Sequence, residues 1–143
     1  MQTFLPYENF DKSARVLDRQ RLGKQRVEVL QILKAIHTGG GWSNHSATRM
    51  WRGYETALIE YGVAICKEWK ARGYKDTCLG KISAYREHFK GSLKLPHWLG
   101  NEKLHLSHRS NLLRKNSEYY REHFPSDPSD LPYIWPVPKE NRQ

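Results

Sequence analysis

The chain has 143 residues, enough for one domain with a buried core, and its 38% hydrophobic and 12% aromatic content excludes a disordered polar chain. Its 24 Lys and Arg against 15 Asp and Glu leave a formal charge of +9, which points to a polyanionic partner: nucleic acid first, an acidic membrane surface second. No apolar run is long enough to span a bilayer, and Met1-Gln2-Thr3-Phe4-Leu5-Pro6 does not read as a signal peptide, so a cytoplasmic location is expected.

Residues 1–10, with Pro6 and Asn9, read as an extended arm. From 12 to 36 the chain has no Pro, and Gly23 only weakens helix propensity. Leu22, Val29, Leu33 and Ile36 recur at spacings of seven, four and three, one apolar stripe that Leu30 widens. Thr38-Gly39-Gly40-Gly41 ends that helix. A second helix is predicted from near Ser46, with Asn44 or Ser46 as cap. It runs through Met50, Tyr54, Leu58, Tyr61 and Ile65 to Trp69 and is closed by Arg72-Gly73-Tyr74. A short helix is expected over 81–89, a loop over 91–100, a last helix over 107–124 and an extended Pro-rich tail over 126–143. No segment alternates as a strand. The prediction is an all-α bundle of three main helices in one domain, residues 1–143. Tyr-Arg-Glu-His-Phe occurs at 85–89 and again at 120–124, too short a repeat to argue duplication, and reads as two similar amphipathic helix ends.

Cys66 and Cys78 make neither a disulfide framework nor a zinc pattern and read as free thiols. The seven histidines include His105 and His108 at helical spacing, but no Cys or carboxylate completes a metal set, so no metal is expected. The glycines 39–41 lack the Lys-Ser/Thr of a phosphate loop, so no nucleotide cofactor is expected either.

The first long helix also carries a dense polar set. At about 100° per residue, Arg21, Gln25 and Glu28 share a stripe beside the apolar one, with Lys24 close by. A carboxylate among arginines is favoured in its charged form, and an ionised carboxylate on a basic surface suits an enzyme that stabilises a developing oxocarbenium ion. The plainer reading is a solvated face with intrahelical ion pairs. Arg26 falls inside the apolar stripe, where either its stem snorkels outward or its guanidinium is paired at a partly buried site. The last helix interleaves Arg109, Arg114, Lys115, Tyr119, Tyr120, Arg121 and Phe124. Cations there suit phosphates and rings suit an unstacked base, though half of these aromatics are expected in the core. Arg114 and Lys115 are the favoured phosphate contacts.

These segments, taken together, resemble the pyrimidine-dimer DNA glycosylase family nearly end to end. Leu17-Asp18-Arg19-Gln20-Arg21-Leu22 through Gln25-Arg26-Val27-Glu28 is similar to the family's Arg-containing helix that ends at an essential Glu. Cys66-Lys67-Glu68-Trp69-Lys70-Ala71-Arg72-Gly73-Tyr74 resembles its Glu-x-x-Lys-Arg-Gly-aromatic helix end, and 105–115 with Tyr119-Tyr120-Arg121 resembles its C-terminal helix and aromatic patch. The resemblance implies a single helical domain that removes a damaged or modified pyrimidine from duplex DNA without a cofactor. The N-terminal amine attacks the anomeric carbon, an imine forms, and β-elimination cuts the strand. It implies Met1 as the amine and Glu28 as the essential acid, with Arg21, Lys24, Gln25, Arg26, Arg114, Lys115, Tyr119, Tyr120 and Arg121 towards DNA. An α-amine is partly neutral at physiological pH, as this chemistry needs. The chain departs from the pattern at Gln2, too bulky to release Met1, and in a longer spacer before Glu28. The alternative is a non-enzymatic helical module that binds DNA or RNA, needing the basic face but neither Glu28 nor a free amine. A membrane-surface role is disfavoured, because the basic helix does not set Trp or Phe opposite its charges.

Overall fold

The computed structural model of the protein describes residues 1–136. Where the hydrophobic pattern predicts three main helices, the chain builds them as the longest of seven among the described residues, with helix breaks that the pattern does not mark. Residues 1–9 form the arm, after which come α1 (Phe10–Val16) and α2 (Arg19–Thr38), in place of one continuous helix. The break falls at Leu17 and Asp18, both extended. The Asp18 backbone N–H donates to the Tyr120 hydroxyl at 2.9 Å, and that hydroxyl donates to the Asp18 carboxylate. A partner 102 positions away thus takes the backbone group that a continuing helix would have used.

The second predicted helix is likewise two, α3 (Ser46–Trp51) and α4 (Glu55–Ala71). Gly53, at φ +92, makes the turn between them, a backbone state that a side chain resists. The cap of α3 is neither Asn44 nor Ser46 but His45, whose Nδ1 accepts the Ala47 N–H at 3.0 Å. Then come α5 (Leu79–Ala84) with a 3-10 turn (Tyr85–Glu87), α6 (Glu102–Lys115), and α7 (Ser117–Tyr120). The final predicted helix therefore starts earlier, at the Asn101 cap, and is interrupted at Asn116. Both Tyr-Arg-Glu-His-Phe copies stack their Tyr on their Phe, with ring centres 6.2 Å apart in the first and 5.8 Å in the second.

Leu22, Val29 and Leu33 of α2 are wholly buried, as the stripe predicts, and Ile32 joins them. They pack against Leu58, Tyr61 and Ile65 of α4. The two helices approach closely because glycines stand at the crossing. A Cβ on Gly23 would come within 2.9 Å of the Trp69 ring, and one on Gly62 within 2.8 Å of Val29. Arg72, at the end of α4, bonds Glu68 and also the Arg15 carbonyl at 3.1 Å, tying α1 to α4.

The arm, though not helical, is part of the core: Phe4 and Leu5 are buried. The pair His105 and His108, considered above as metal ligands, holds its backbone. The Leu5 N–H donates to His108 Nδ1 at 3.0 Å, and the Leu5 carbonyl lies 2.8 Å from His105 Nδ1. Since His105 Nε2 accepts the Gly100 N–H, its Nδ1 carries the proton that Leu5 receives. Burial, with His105 nearby, pushes the His108 pKa down to about 3, so it stays neutral. Residues 125–136 run without helix along α6, and the remainder of the expected tail, 137–143, lies outside the described residues. Cys66 and Cys78 are buried free thiols, and burial pushes Cys66 up to about 12. Among the described residues no helix is long and apolar enough to cross a membrane.

Candidate active site

On α2 the stripe of Arg21, Lys24, Gln25 and Glu28 lies under the first residues of the arm. Gln25 is buried and its carboxamide is fully engaged. Its Nε2 donates to the Gln2 carbonyl at 2.8 Å, while its Oε1 accepts the Phe4 N–H at 3.1 Å. The Tyr61 hydroxyl lies 2.7 Å from both Gln25 Oε1 and the Phe4 carbonyl, one proton serving two acceptors. The next residue is bound as well: Tyr133 donates to the Thr3 carbonyl at 2.5 Å, and Trp51 Nε1 donates to the Thr3 hydroxyl at 3.0 Å. The arm is thus pinned through three successive residues. Burial keeps Tyr61 and Tyr133 well above the usual phenol range, and the Glu28 charge adds to both. They act as neutral donors.

This clamp delivers the amino terminus to Glu28. The Gln2 N–H donates to Glu28 Oε2 at 2.6 Å, although Glu28 is only 6% exposed. Standard bond lengths then place the Met1 nitrogen within about 6 Å of that oxygen. The other oxygen, Oε1, faces Lys24 Nζ at 3.8 Å. Lys24 is mostly in water, so the pair adds little stability and leaves the ammonium available to a ligand. On the far side stands His45. Burial lowers its pKa and the positive charge of the amino terminus lowers it further, so this imidazole is a neutral neighbour of the amine. Because His45 Nδ1 accepts the Ala47 N–H, the ring's proton resides on Nε2.

A hollow of about 110 Å³ opens beside the carboxylate, between Gln2, Arg21, Lys24, Gln25, Glu28 and Lys115. Pockets that engulf drug-sized ligands start near about 300 Å³, so this one takes only part of a nucleotide. Its cations and its carboxylate form a basic rim around a buried acid. Lys115, more than eighty positions from Glu28, joins Arg21 and Lys24 there.

The remaining residues expected to face DNA lie elsewhere. Tyr120 is wholly buried against Asp18 and Phe124, so the expectation that it meets a base is corrected: its hydroxyl serves the α1–α2 break. Arg26 takes the paired reading over snorkelling. It bonds Asp76 at 2.7 Å and lies over the Trp69 ring at 4.3 Å, because the buried Asp76 carboxylate needs a cation. Burial alone would raise the Asp76 pKa, but the Arg26 hydrogen bond and the Leu79 and Cys78 N–H groups hold it below its usual value. Arg114 donates to the Ser129 and Leu131 carbonyls at 2.9 and 2.8 Å, and Arg121 to the Asp127 carbonyl at 2.7 Å. Both fasten the segment after α7. Tyr119 is partly buried, edge-on to Tyr120. Sequence reasoning had no sign of His45, Tyr61, Tyr133 or Gln2 at the site. The one available cue was that Gln2 and Thr3 are polar residues opening an arm that must be buried at Phe4 and Leu5.

The arm, α1 to α4 and the start of α5 coincide with a match to the family model described as pyrimidine dimer DNA glycosylase, over residues 1–81. The chain belongs to that family. No curated protein and no solved structure matches it. The span that defines this DNA glycosylase family holds the amino terminus, Glu28, Arg21, Lys24 and His45, whereas Lys115 and the two arm-binding histidines come from beyond it. The membership points to DNA with a damaged base as the ligand.

Proposed function

We propose that the protein excises a damaged or modified pyrimidine from duplex DNA through an imine on its first residue's amine, and then cleaves the strand at the abasic sugar. The observation that carries this reading is the 2.6 Å bond from the Gln2 N–H to the buried Glu28 carboxylate, which holds the amino terminus beside an acid. In this scheme the Met1 amine lone pair attacks C1′ of the deoxyribose and the bond from C1′ to the base breaks, the base leaving with a proton. Opening of the sugar ring then gives the imine. Glu28 stabilises positive charge at C1′ as the bond lengthens, a role for which a fixed carboxylate in a partly dehydrated hollow is suited. β-Elimination follows with loss of a C2′ proton and departure of the 3′ phosphate. Arg21, Lys24 and Lys115 contact phosphates, and Gln25, Tyr61 and Tyr133 hold the arm in place.

The test is borohydride trapping of the untagged protein on duplex DNA with one abasic site. A covalent adduct is expected, lost when the amine is acetylated and mapped to Met1 by mass spectrometry. No adduct, with salt-sensitive DNA binding retained, would overturn the imine mechanism in favour of a plain DNA-binding module.

A further inference from the structure

Beyond Glu28, Ala35 continues the stripe of α2, while Lys34 lies about 120° round the helix from it. There a second hollow, of about 380 Å³, opens between these residues, the glycines 39–41 and Trp42. Helix rise puts its α2 residues about 5–10 Å along the axis from Glu28, two or three base steps of about 3.4 Å. Trp42 is 51% exposed, a large apolar surface left in water. The loop that carries it is braced. Ser43 N and Oγ both donate to the Gly40 carbonyl, at 3.1 and 2.8 Å, and the His45 N–H donates to the Trp42 carbonyl at 3.1 Å. Arg52 adds a 2.8 Å bond to the Ser43 carbonyl.

The indole is also joined to the candidate active site. It stands edge-on to His45 with ring centres 5.6 Å apart, His45 meets Trp135 at 5.8 Å, and Trp135 meets Tyr133 at 4.4 Å. Tyr133 is the residue that binds Thr3 of the arm. A braced loop that leaves half of an indole exposed beside glycines, on a chain of +9, fits an occupant that is flat, apolar-faced and attached to a polyanion. A nucleobase has that chemistry.

We propose that Trp42 is the stacking platform for an unstacked base of the bound DNA, with Lys34 meeting an adjoining phosphate. The contact holds the duplex open while the smaller hollow receives the sugar. This inference rests on the DNA-processing reading above, but its test needs no turnover.

The probe is a duplex containing tetrahydrofuran, a non-reactive abasic analogue, with 2-aminopurine either beside or opposite it in two separate preparations, against an intact duplex. Wild-type protein is expected to quench 2-aminopurine in at least one of the two, and Trp42→Ala to leave both bright. Trp42→Ala should also lose about tenfold or more of the preference for analogue over intact duplex, with Trp42→Phe recovering most of it. Affinity for intact duplex stays the same, since an intact duplex offers no unstacked base to the ring. Lys34→Ala should lower the salt slope by about one without abolishing the quench. Equal quenching and equal preference in wild type and Trp42→Ala overturn the inference, and an intact borohydride adduct alongside that result leaves the glycosylase reading standing. Conversely, a Trp42 effect without any adduct sinks the imine and retains the platform.

Discussion

The two halves of the molecule use their polar residues in opposite ways. Along α2 and the arm, buried polar groups bind one another and leave a cationic rim: Gln25 and Tyr61 hold the backbone, and Lys24 and Lys115 rim the hollow with Arg21, which also bonds Asp18 at 3.2 Å. From α6 onward the arginines are turned inward on the chain itself. Arg109 bonds Glu102, Asp127 and the Pro6 carbonyl, while Arg114 and Arg121 bond carbonyls of residues 124–131. A count of basic residues therefore says little about where a polyanion binds. What matters is how fully each cation is already matched by carbonyls and carboxylates of the chain.

The largest expected effect tests the first half. Glu28→Gln keeps an acceptor for the Gln2 N–H but removes the charge, and should lower base release and adduct formation by about a hundredfold or more in single-turnover assays. DNA affinity should hold or rise, and unchanged turnover would remove Glu28 from the chemistry. Next comes the buried pair: Asp76→Asn leaves the Arg26 guanidinium without its counter-charge and should cost about 3–5 kcal/mol in urea unfolding. A loss of DNA affinity at constant stability would instead return Arg26 to the DNA-contact set. Gln25→Ala strands the Phe4 N–H and the Gln2 carbonyl, and a loss of about 2–4 kcal/mol is expected with a fall in adduct yield, because the amine loses its tether.

A weaker effect is one of pH. His108 is neutral in the fold down to about pH 3, whereas the unfolded chain takes up its proton near pH 6.5. The unfolded state thus binds more protons below 6.5, so stability falls as pH drops through that window, by at most about 1.4 kcal/mol per pH unit. His108→Asn keeps an acceptor for Leu5 and should flatten that slope in melts at pH 4–7. The smallest effect divides the two halves most sharply. Lys115→Ala should reduce the salt slope of DNA binding by about one, and Arg114→Ala should leave it unchanged while lowering stability by about 1 kcal/mol. The reverse pattern would erase the contrast.

The apolar stripe of α2 was legible because 3.6-residue periodicity is a local property, and Leu22, Val29 and Leu33 are buried where it put them. So was the grouping of Arg21, Lys24, Gln25 and Glu28 on one face. The breaks at Asp18 and Asn116 were not legible, since no Pro or Gly marks them. The first depends on Tyr120, which a window of twenty residues cannot contain. Gly53 did carry its own mark, inside what the apolar spacing joined into one helix. The position of Arg26 in the apolar stripe was readable, whereas the choice of Asp76 over solvent depended on a contact fifty positions away. Lys115 and Arg114 are adjacent and chemically alike in sequence. Only the path of residues 129–131 separates a cation bound to carbonyls from one that faces the hollow.

The arm that carries the amine is held by residues made about a hundred positions after it: His105 and His108 on Leu5, Arg109 on Pro6, Tyr133 on Thr3. The first segment to leave the ribosome is therefore among the last to find its place, because its long-range bonds wait for α6 and for the strand of chain beyond α7. Until then the arm has Gln25, Glu28, Trp51 and Tyr61 to hold it. A half-made or C-terminally truncated chain would still expose much of the basic stripe of α2 while holding its arm by fewer bonds.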